Sequence, residues 1–384
     1  MSGRARDFGI AIGRGSPGPL NAITDVAGVR VGHTTLISGD GPLRVGSGPV
    51  RTGVTVVIPH DGNVWEEPLF AGFHRLNGNG ELSGLHWIAE AGLLKTVIGL
   101  TNTHSVGVVR DALVAAEIEE RTPGRLFWSM PVVGETWDGI LSDVNGLHVK
   151  AEHVAGALIA ASGGPVAEGN VGGGTGMICH GFKGGSGTAS RIVDEEVGGY
   201  AVGVLVQANH GDRCRFEVAG VPVGEVIDEA AVPVPEAPEE GSPSHSGAGG
   251  SIIIIVATDA PLLPDQCARL AQRAGLGVAR LGGLGENWSG DLFLAFSTAN
   301  RGMPAADYKQ PSPLTYGVSV LSNAYIDPLF AAVVEATEEA IVNALLAAET
   351  MVGRDGVKAW RLEPARLVEV LGAADRLDGR ALGS

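Results

Sequence analysis

The composition of the chain changes abruptly at residue 231, and the boundary where this segment meets an apolar run at Ser251 restricts the possible folds more than any other feature of the sequence. Residues 231–250 are rich in Pro, Glu, Gly and Ser, and such a segment cannot bury a core. Ser251 follows directly and opens the run SIIIIVAT at residues 251–258. This continuous apolar, β-branched run predicts a central strand that is buried on both faces. A predicted flexible linker therefore meets the core of the fold at one peptide bond, between Gly250 and Ser251.

Short β-branched runs alternate with helical patterns along the rest of the chain, which predicts a mixed α/β fold. Further strands are predicted at residues 54–58, 96–101, 202–206 and 291–296. Helices are predicted at residues 86–94, 109–118 and 154–161, and a long amphipathic helix from residue 327. The helix after Pro264 is expected to stop at Gly275, because Pro favours the start of a helix and Gly its end. Nothing indicates a separate second unit, so residues 1–384 are predicted to form a single domain.

Charge and cysteine usage limit the class of protein. The formal net charge of -16 disfavours binding to nucleic acid or anionic membranes, because both would repel the chain. The cysteines at positions 179, 214 and 267 are far apart and form no C-x-x-C pair, so neither a disulfide framework nor a zinc site is expected. No signal peptide is visible, and no apolar run reaches the roughly 20 residues that a membrane helix needs. We expect small-molecule chemistry in the cytoplasm, without a metal or an organic cofactor.

The bond between Gly250 and Ser251 has the residue types that an intramolecular acyl shift requires. Gly250 can adopt backbone angles closed to other residues, which would let the Ser251 hydroxyl reach the preceding carbonyl. Hydrolysis of the resulting ester would leave Ser251 with a free α-amine, whose ordinary pKa is about 7.7–8.0. That amine could serve as a built-in base for the hydroxyl. Judged by the local pattern alone, however, Gly-Gly-Ser is more typical of an ordinary loop that leads into a strand.

Five separated motifs favour self-cleavage at the Gly250–Ser251 bond over an ordinary loop. They are LNAITDV at residues 20–26, VRVGHT at 29–34, GNGE at 78–81, GNVGGGTG at 169–176, and GSIIIIVATDAPLL at 250–263. In these motifs the chain resembles the family of L-aminopeptidase/D-esterases, which also contains the β-peptidyl aminopeptidases. The resemblance implies a four-layer αββα sandwich of the type shared with ornithine acetyltransferases. It also implies an autocatalytic cut into an α subunit (1–250) and a β subunit (251–384), and association of these heterodimers into a homo-oligomer.

The same resemblance implies catalytic roles for four residues. Ser251 becomes the nucleophile, and Asn209 becomes a donor to the oxyanion, a role that suits an amide because it donates without titrating. Ser289 and Asp291 match the serine and the acid that the family places beside the nucleophile. Positions two apart on a strand share one face, so both side chains are expected to reach Ser251 together and fix its amine. Without the family pattern, the segment WSGD at residues 288–291 would be interpreted as an ordinary polar segment at the start of a strand.

Substrate binding is assigned by the resemblance to the segment VVGETWDG at residues 132–139. Glu135 matches an acid that holds the free amine of the substrate, and a carboxylate in a partly dry pocket would explain exopeptidase specificity. By pattern alone, a surface acid in a turn is equally compatible. Trp137 departs from the family, because a Tyr is expected at this position. An indole can donate a hydrogen bond but cannot accept one or ionise, so activity or substrate range is expected to differ.

The expected function is that of an aminopeptidase or amidase, which releases the N-terminal residue from small peptides, amides or esters. Two alternatives belong to other classes. An acyltransferase of the ornithine acetyltransferase type would pass the acyl group to an amine and is expected to use Thr as its nucleophile. A non-catalytic ligand-binding protein would keep an intact chain. The preference for L-α, D-α or β residues depends on pocket shape and stereochemistry, which the sequence leaves open, as it does the oligomer size and the physiological substrate.

Overall fold

The structure is a computed structural model that describes residues 3–124, 126–236, 250–303 and 313–377. Its strands are β1 (Arg30–Ser38), β2 (Val50–Ile58), β3 (Leu69–Arg75), β4 (Leu93–Leu94), β5 (Ile98–Asn102), β6 (Val132–Thr136), β7 (Ile178–Cys179), β8 (Phe182–Lys183), β9 (Gly185–Ile192), β10 (Ala201–Asn209), β11 (Ser251–Thr258), β12 (Gly290–Ser297), β13 (Met351–Val352) and β14 (Lys358–Ala359). Its α-helices are α1 (Leu85–Ala91), α2 (Val106–Glu120), α3 (Ala151–Ala160), α4 (Val223–Val226), α5 (Pro264–Arg280), α6 (Asp327–Ala347) and α7 (Pro364–Ala373). Within the described ranges, no helix is long and apolar enough to cross a membrane.

The strand that begins at Ser251, β11, lies at the centre of a six-stranded sheet. The strand order is β4-β3-β12-β11-β10-β9, and β11 pairs antiparallel with β10 and parallel with β12. Even positions such as Ile252 and Ile254 pack beneath α5 and α6, whereas odd positions such as Ile253 and Ile255 pack in a second core. Every residue of β11 is buried. The prediction of a strand buried on both faces is therefore confirmed.

A second, four-stranded sheet of order β1-β2-β5-β6 covers the other face of the first sheet. Val57 and Leu100 of this sheet pack against the odd-numbered side chains of β11 in the core between the two sheets. Val54 and Val56 point the opposite way, into a core with α2 and α3. The layers are thus helices, sheet, sheet and helices. This arrangement confirms the expected αββα sandwich.

The prediction that the helix after Pro264 stops at Gly275 is wrong. Helix α5 continues to Arg280 and includes a second glycine, Gly277. A β-carbon at Gly277 would lie 2.6 Å from Cβ of Thr337 in α6, so glycine lets these two helices pack closely. Tertiary packing therefore outweighs the weak helix propensity of glycine here.

The predicted helix over residues 86–94 also differs from the structure at its end. Helix α1 stops at Ala91, because Gly92 adopts the left-handed conformation with φ of 70°. The next two residues form β4, which pairs with β3 at the edge of the large sheet. A glycine in this conformation is a common helix stop.

The predicted linker lies mainly beyond what the structure describes, since residues 237–249 fall outside the described ranges. The strands on either side of it belong to one sheet. β11 and β12 follow the Gly250–Ser251 bond, and they are flanked in the sheet by β10 and β3, which precede it. The large sheet therefore combines strands from both predicted subunits, and the division into subunits stays a prediction.

Candidate active site

Ser251 and Asn209 stand directly opposite each other at the end of the large sheet. They are paired across the antiparallel strands β10 and β11. Both occupy odd positions, so both side chains face the space between the two sheets, where Ile253 and Leu205 are packed. Directly opposed residues have Cβ atoms about 4.5–5.5 Å apart. The structure thus brings together the two residues that were assigned the roles of nucleophile and oxyanion donor.

Two main-chain groups fix the orientation of the Asn209 amide. The backbone N–H of Ile178 donates to Oδ1 of Asn209 at 2.8 Å, and Nδ2 of Asn209 donates to the carbonyl oxygen of Trp137 at 3.1 Å. Because the Ile178 N–H can only donate, it identifies the oxygen side of the amide. The amide therefore has a defined orientation, and its nitrogen carries a second hydrogen for another acceptor.

The hydroxyl of Ser251 receives a hydrogen bond from the neighbouring strand. The backbone N–H of Gly290 in β12 donates to Oγ of Ser251 at 3.3 Å. On either side of Gly290, Oγ of Ser289 donates to Oδ1 of Asp291 at 2.6 Å. The two side chains thus meet, as expected for positions two apart. Their contact with a free Ser251 amine stays a prediction, because that amine exists only after cleavage.

Gly250 lies against the backbone of β10 in a space that admits no side chain. A β-carbon at Gly250 would lie 2.0 Å from the carbonyl oxygen of Asn209 and 2.6 Å from Cα of His210. Both distances are far below van der Waals contact. The main chain on the N-terminal side of the Gly250–Ser251 bond is therefore packed directly onto the residue that carries the candidate oxyanion donor.

Glu135 is a buried acid in β6 and is 3% exposed. Its Oε1 accepts a hydrogen bond from the backbone N–H of Glu81 at 2.9 Å, and its Oε2 accepts one from the hydroxyl of Thr103. A β-carbon added at Gly80 would lie 3.1 Å from Oε1 of Glu135 and 2.9 Å from Cα of Gly290. The GNGE motif thus packs between this carboxylate and the strand end beside Ser251.

Burial shifts the pKa of both acids near Ser251 in the same direction. Desolvation raises the pKa of Glu135, while the hydrogen bonds from Thr103 and from the Glu81 N–H oppose the shift. Desolvation also raises the pKa of Asp291, to about 6, against the stabilising effect of the hydrogen bonds from Ser289 and from the backbone of Ile252. Raised carboxyl pKa values in a group of converging polar residues are typical of functional sites.

Trp137 contributes to the site through its main chain. Its carbonyl oxygen accepts the hydrogen bond from Asn209. Its indole packs against a small apolar cluster that includes Ile140 and Ile178, and a β-carbon at Gly139 would lie 2.4 Å from the ring. The indole is therefore held by packing, and the contact that Trp137 makes with Asn209 does not depend on its side chain.

Several groups at the site were missed by the sequence analysis. The N–H groups of Ile178, Gly290 and Glu81 and the hydroxyl of Thr103 all bind candidate site residues. Every residue except proline has a main-chain N–H, so residue types cannot predict which of these groups act as donors. The GNGE and GNVGGGTG motifs only indicated which segments lie near the site. The buried neighbours Cys179, His180 and His210 were also passed over as a group, although His210 adjoins Asn209 in the sequence.

The fold and the site together define a serine hydrolase of the N-terminal-nucleophile type, and comparison with known proteins identifies its family. The profile of peptidase family S58 matches residues 21–359. The β-peptidyl aminopeptidase BapA of Sphingosinicella microcystinivorans is 48% identical over 377 residues, which cover 97% of this chain and 93% of the relative. The chain belongs to peptidase family S58 and is a serine aminopeptidase. This assignment decides against both the acyltransferase and the non-catalytic binding protein.

Solved structures of similar proteins agree with this assignment. A β-aminopeptidase of Burkholderia sp. superposes with a TM-score of 0.89 at 55% identity, over 97% of this chain and 99% of the other. The L-aminopeptidase D-Ala-esterase/amidase of Ochrobactrum anthropi, described as a prototype for the serine aminopeptidases and a variant of the N-terminal-nucleophile hydrolase fold, has a TM-score of 0.87 at 42% identity. The match covers 97% of this chain and 99% of that one. The αββα sandwich is therefore the fold of this class of hydrolase.

Proposed function

We propose that the chain cleaves itself between Gly250 and Ser251 and then acts as an aminopeptidase with Ser251 as its N-terminal nucleophile. In the first reaction, Oγ of Ser251 attacks the carbonyl carbon of Gly250, and the peptide bond becomes an ester with a free Ser251 amine. Water then hydrolyses the ester and releases the carboxylate of Gly250. The observation that carries this proposal is the opposed pair Ser251 and Asn209, with Gly250 packed onto the backbone of Asn209.

In the second reaction, Ser251 attacks the first carbonyl of a substrate. The Ser251 amine takes the hydroxyl proton and passes it to the leaving amine, and it later activates the water that hydrolyses the acyl-enzyme. The free N–H of the Asn209 amide binds the developing oxyanion, since its nitrogen has one hydrogen beyond that given to Trp137. The hydrogen-bonded pair of Ser289 and Asp291 positions the amine from the adjoining strand.

The architecture of the large sheet supports a stable complex of the two fragments. Strands β11 and β12 would belong to the β subunit, yet β10 and β3 of the α subunit flank them. Separating the fragments would expose the odd-numbered apolar side chains of β11, which pack against strands of the α subunit, and would unpair the outer edges of β11 and β12. We therefore expect the α and β subunits to stay together after cleavage. Association of these heterodimers into a homo-oligomer and a cytoplasmic location stay predictions.

We further propose that the enzyme accepts substrates with an N-terminal β-amino acid. The chain is 55% identical to the Burkholderia β-aminopeptidase and 48% identical to the β-peptidyl aminopeptidase BapA, but 42% identical to the L-aminopeptidase D-Ala-esterase/amidase. Rates of release from L-Ala, D-Ala and β-homo-Ala amides test this preference. Faster turnover of the L-Ala amide than of the β-homo-Ala amide would contradict it.

Self-cleavage is tested by the masses of the purified chains. We expect the wild-type protein to give two fragments that meet at Gly250 and Ser251. In Gly250→Ala the added β-carbon would overlap the backbone of Asn209, and overpacking of this kind costs about 1–3 kcal/mol. Cleavage should then slow by roughly 5- to 150-fold if that cost is felt in the transition state. Gly317→Ala is a matched control, because a β-carbon there meets no atom within 4 Å. A wild-type chain that is fully active without being cleaved would refute the proposal.

Binding of the substrate amine is tested by Glu135→Gln, which keeps the shape of the side chain and removes its charge. A hydrogen bond to a charged group contributes about 1.5–3 kcal/mol, so we expect KM to rise roughly 10- to 100-fold with a smaller change in kcat. Glu81→Gln is the matched control, because Glu81 is exposed and meets Glu135 through its backbone N–H. Equal KM values for Glu135→Gln and the wild type would show that Glu135 does not bind the substrate amine.

The raised pKa of Asp291 predicts the acid side of the pH profile. As the pH falls through about 6, Asp291 takes up a proton and can no longer accept both of its hydrogen bonds, so turnover should fall. The Ser251 amine, with an ordinary pKa of about 7.7–8.0, must also be unprotonated. Because protonation of Glu135 acts mainly on KM, the test uses kcat: its logarithm should rise with a slope of about two below pH 6 and about one between pH 6 and 7.5.

Two variants separate these contributions. Asp291→Asn should reduce the slope below pH 6 to about one, because only the amine then titrates. Asp259→Asn is the control at the other end of β11, where its carboxylate accepts the backbone N–H of Ala201, and it should keep the wild-type slope. A wild-type slope of one down to pH 5 would show that Asp291 does not act in its charged form.

A further inference from the structure

Three buried side chains with metal-binding atoms meet behind the candidate active site. Cys179, His180 and His210 are 0%, 0% and 3% exposed, and one ligand atom from each lies within 4.8 Å of the others. Cys179 belongs to the core between the large sheet and its helices. Because His210 follows Asn209 directly, its side chain points to the opposite side of the sheet end from Asn209. The cluster is thus carried by the same backbone segments as the active site, but its side chains lie on the other side of the sheet.

Both histidines keep a ring nitrogen without a partner. Among the described residues, Nε2 of His180 and Nε2 of His210 are buried and have no hydrogen-bond partner. Nδ1 of His180 lies 3.2 Å from the carbonyl oxygen of Asp212, so it carries the proton and leaves a lone pair on Nε2. A neutral imidazole with a free lone pair is the form that binds metals.

We propose that Cys179, His180 and His210 bind one soft metal ion, Cu⁺ in preference to Zn²⁺. Metal bonds of about 2.0 Å to nitrogen and 2.3 Å to sulfur place the two ligand atoms roughly 3.5–3.8 Å apart. Sγ of Cys179 and Nδ1 of His210 lie 3.7 Å apart in a hydrogen bond that the metal would replace, so the ligand atom of His210 is Nδ1 and not its unpartnered Nε2. On binding, the Cys179 thiol gives its proton to solvent and the thiolate binds the ion. The hydrogen bond from His180 to the Asp212 carbonyl would orient the second imidazole.

The charge of the surroundings favours a monovalent ion. Nε of the Arg213 guanidinium donates at 2.8 Å to the carbonyl oxygen of His180. With the Cys179 thiolate, Cu⁺ gives a neutral site, whereas Zn²⁺ gives a net positive charge beside this cation. Thiolate and imidazole ligands also suit Cu⁺.

Occupation of this site has a consequence for the proposed oxyanion donor. Cys179 follows Ile178, whose N–H holds the Asn209 amide, and His210 follows Asn209 itself. The N–H of His180 already donates to the carbonyl oxygen of His210 at 2.7 Å. A metal bond between Cys179 and His210 would add a second link between these backbone segments and further restrain the amide between them. This consequence rests on the proposed role of Asn209. We expect kcat to change by at least threefold on metal loading, with KM nearly constant.

The test uses the full chain, loaded with Cu⁺ or Zn²⁺ either after purification or during refolding under anaerobic, reducing conditions. Competition with a chromophoric Cu⁺ chelator should give one Cu⁺ per chain. Affinity should fall at least 10-fold in Cys179→Ser and in His210→Gln. Cys267→Ser and Cys214→Ser are matched controls for a buried and an exposed thiol, and they should keep the wild-type affinity. Co²⁺ should give a thiolate charge-transfer absorption band that only Cys179→Ser abolishes among the cysteine variants.

Several outcomes would overturn the inference. A chain that retains no metal after either loading route has no such site, and undiminished affinity in Cys179→Ser places the metal elsewhere. Tighter binding of Zn²⁺ than of Cu⁺ refutes the charge argument. If the metal binds at this cluster and kcat is unchanged, the consequence for Asn209 is wrong while the site stands. Failure of the proposed catalytic function would appear separately, as activity that survives the loss of Ser251.

Discussion

Ser251→Ala is expected to remain a single uncut chain and to lose at least about 10⁴-fold in kcat/KM. Without the hydroxyl, no ester can form with Gly250, so the amine that serves as the base is never released. The substrate reaction loses its nucleophile as well. Removal of the nucleophile in other serine hydrolases leaves only the contribution of binding and of the oxyanion site. Intact mass and the release of an amine from a small amide substrate measure both effects on one preparation.

Ser297→Ala is the matched control for this variant. Ser297 is a buried serine at the far end of β12, where its Oγ donates to the carbonyl oxygen of Ala260 at 2.6 Å. Its loss should leave cleavage and turnover close to the wild type, although stability can fall by about 1 kcal/mol for the lost hydrogen bond. Cleavage of the Ser251→Ala chain at the same bond, or residual turnover above about 1% of the wild type, would refute the assignment of the nucleophile.

Asn209→Ala is expected to lower kcat by about 10²- to 10³-fold, which is the usual effect of removing one oxyanion donor. KM should change little, because the oxyanion forms only during the reaction. Self-cleavage passes through a similar intermediate, so it should also slow. Turnover must therefore be expressed per chain with a free Ser251 N-terminus, counted by mass spectrometry.

A second variant separates catalysis from structure at this position. Asn209→Ala also deprives the buried N–H of Ile178 of its acceptor, which costs about 1–3 kcal/mol of stability. Asn209→Asp keeps that acceptor and removes both amide hydrogens. If donation to the oxyanion is what matters, both variants lose kcat although their structural defects differ: Asn209→Ala leaves the Ile178 N–H unpaired, whereas Asn209→Asp sets a carboxyl oxygen against the Trp137 carbonyl oxygen. The stability of both variants is therefore measured beside kcat. Turnover near the wild-type value in either variant would remove the proposed role, and Asn170→Ala controls for loss of an amide away from the site.

Much of the large sheet was predictable because its strands carry a strong local signal. The run from Ser251 to Thr258 is continuously apolar and became the central strand β11. By contrast, the end of α5 was predicted wrongly, because the glycines at 275 and 277 are stop signals by propensity. In the structure, Gly277 allows α5 to pack closely against α6, and this contact cannot be predicted from the sequence of α5.

The candidate site was predictable only in part. The motifs that carry the family resemblance pointed to Ser251, Asn209 and Glu135, but the hydrogen bonds that orient them come largely from main-chain N–H groups. Such donors are the same in every residue except proline. For Trp137, attention to the side chain missed the contact that matters, since its carbonyl oxygen binds Asn209.

The sequence by itself determined that a serine preceded by glycine heads a strand buried on both faces, because composition and burial pattern are local properties of the chain. Only the tertiary structure decided what surrounds that serine. Asn209 comes to lie opposite it through the register of β10 and β11, and Gly250 is pressed onto the same backbone. Strand register and contacts between distant loops depend on how whole layers pack, which residue types alone do not specify.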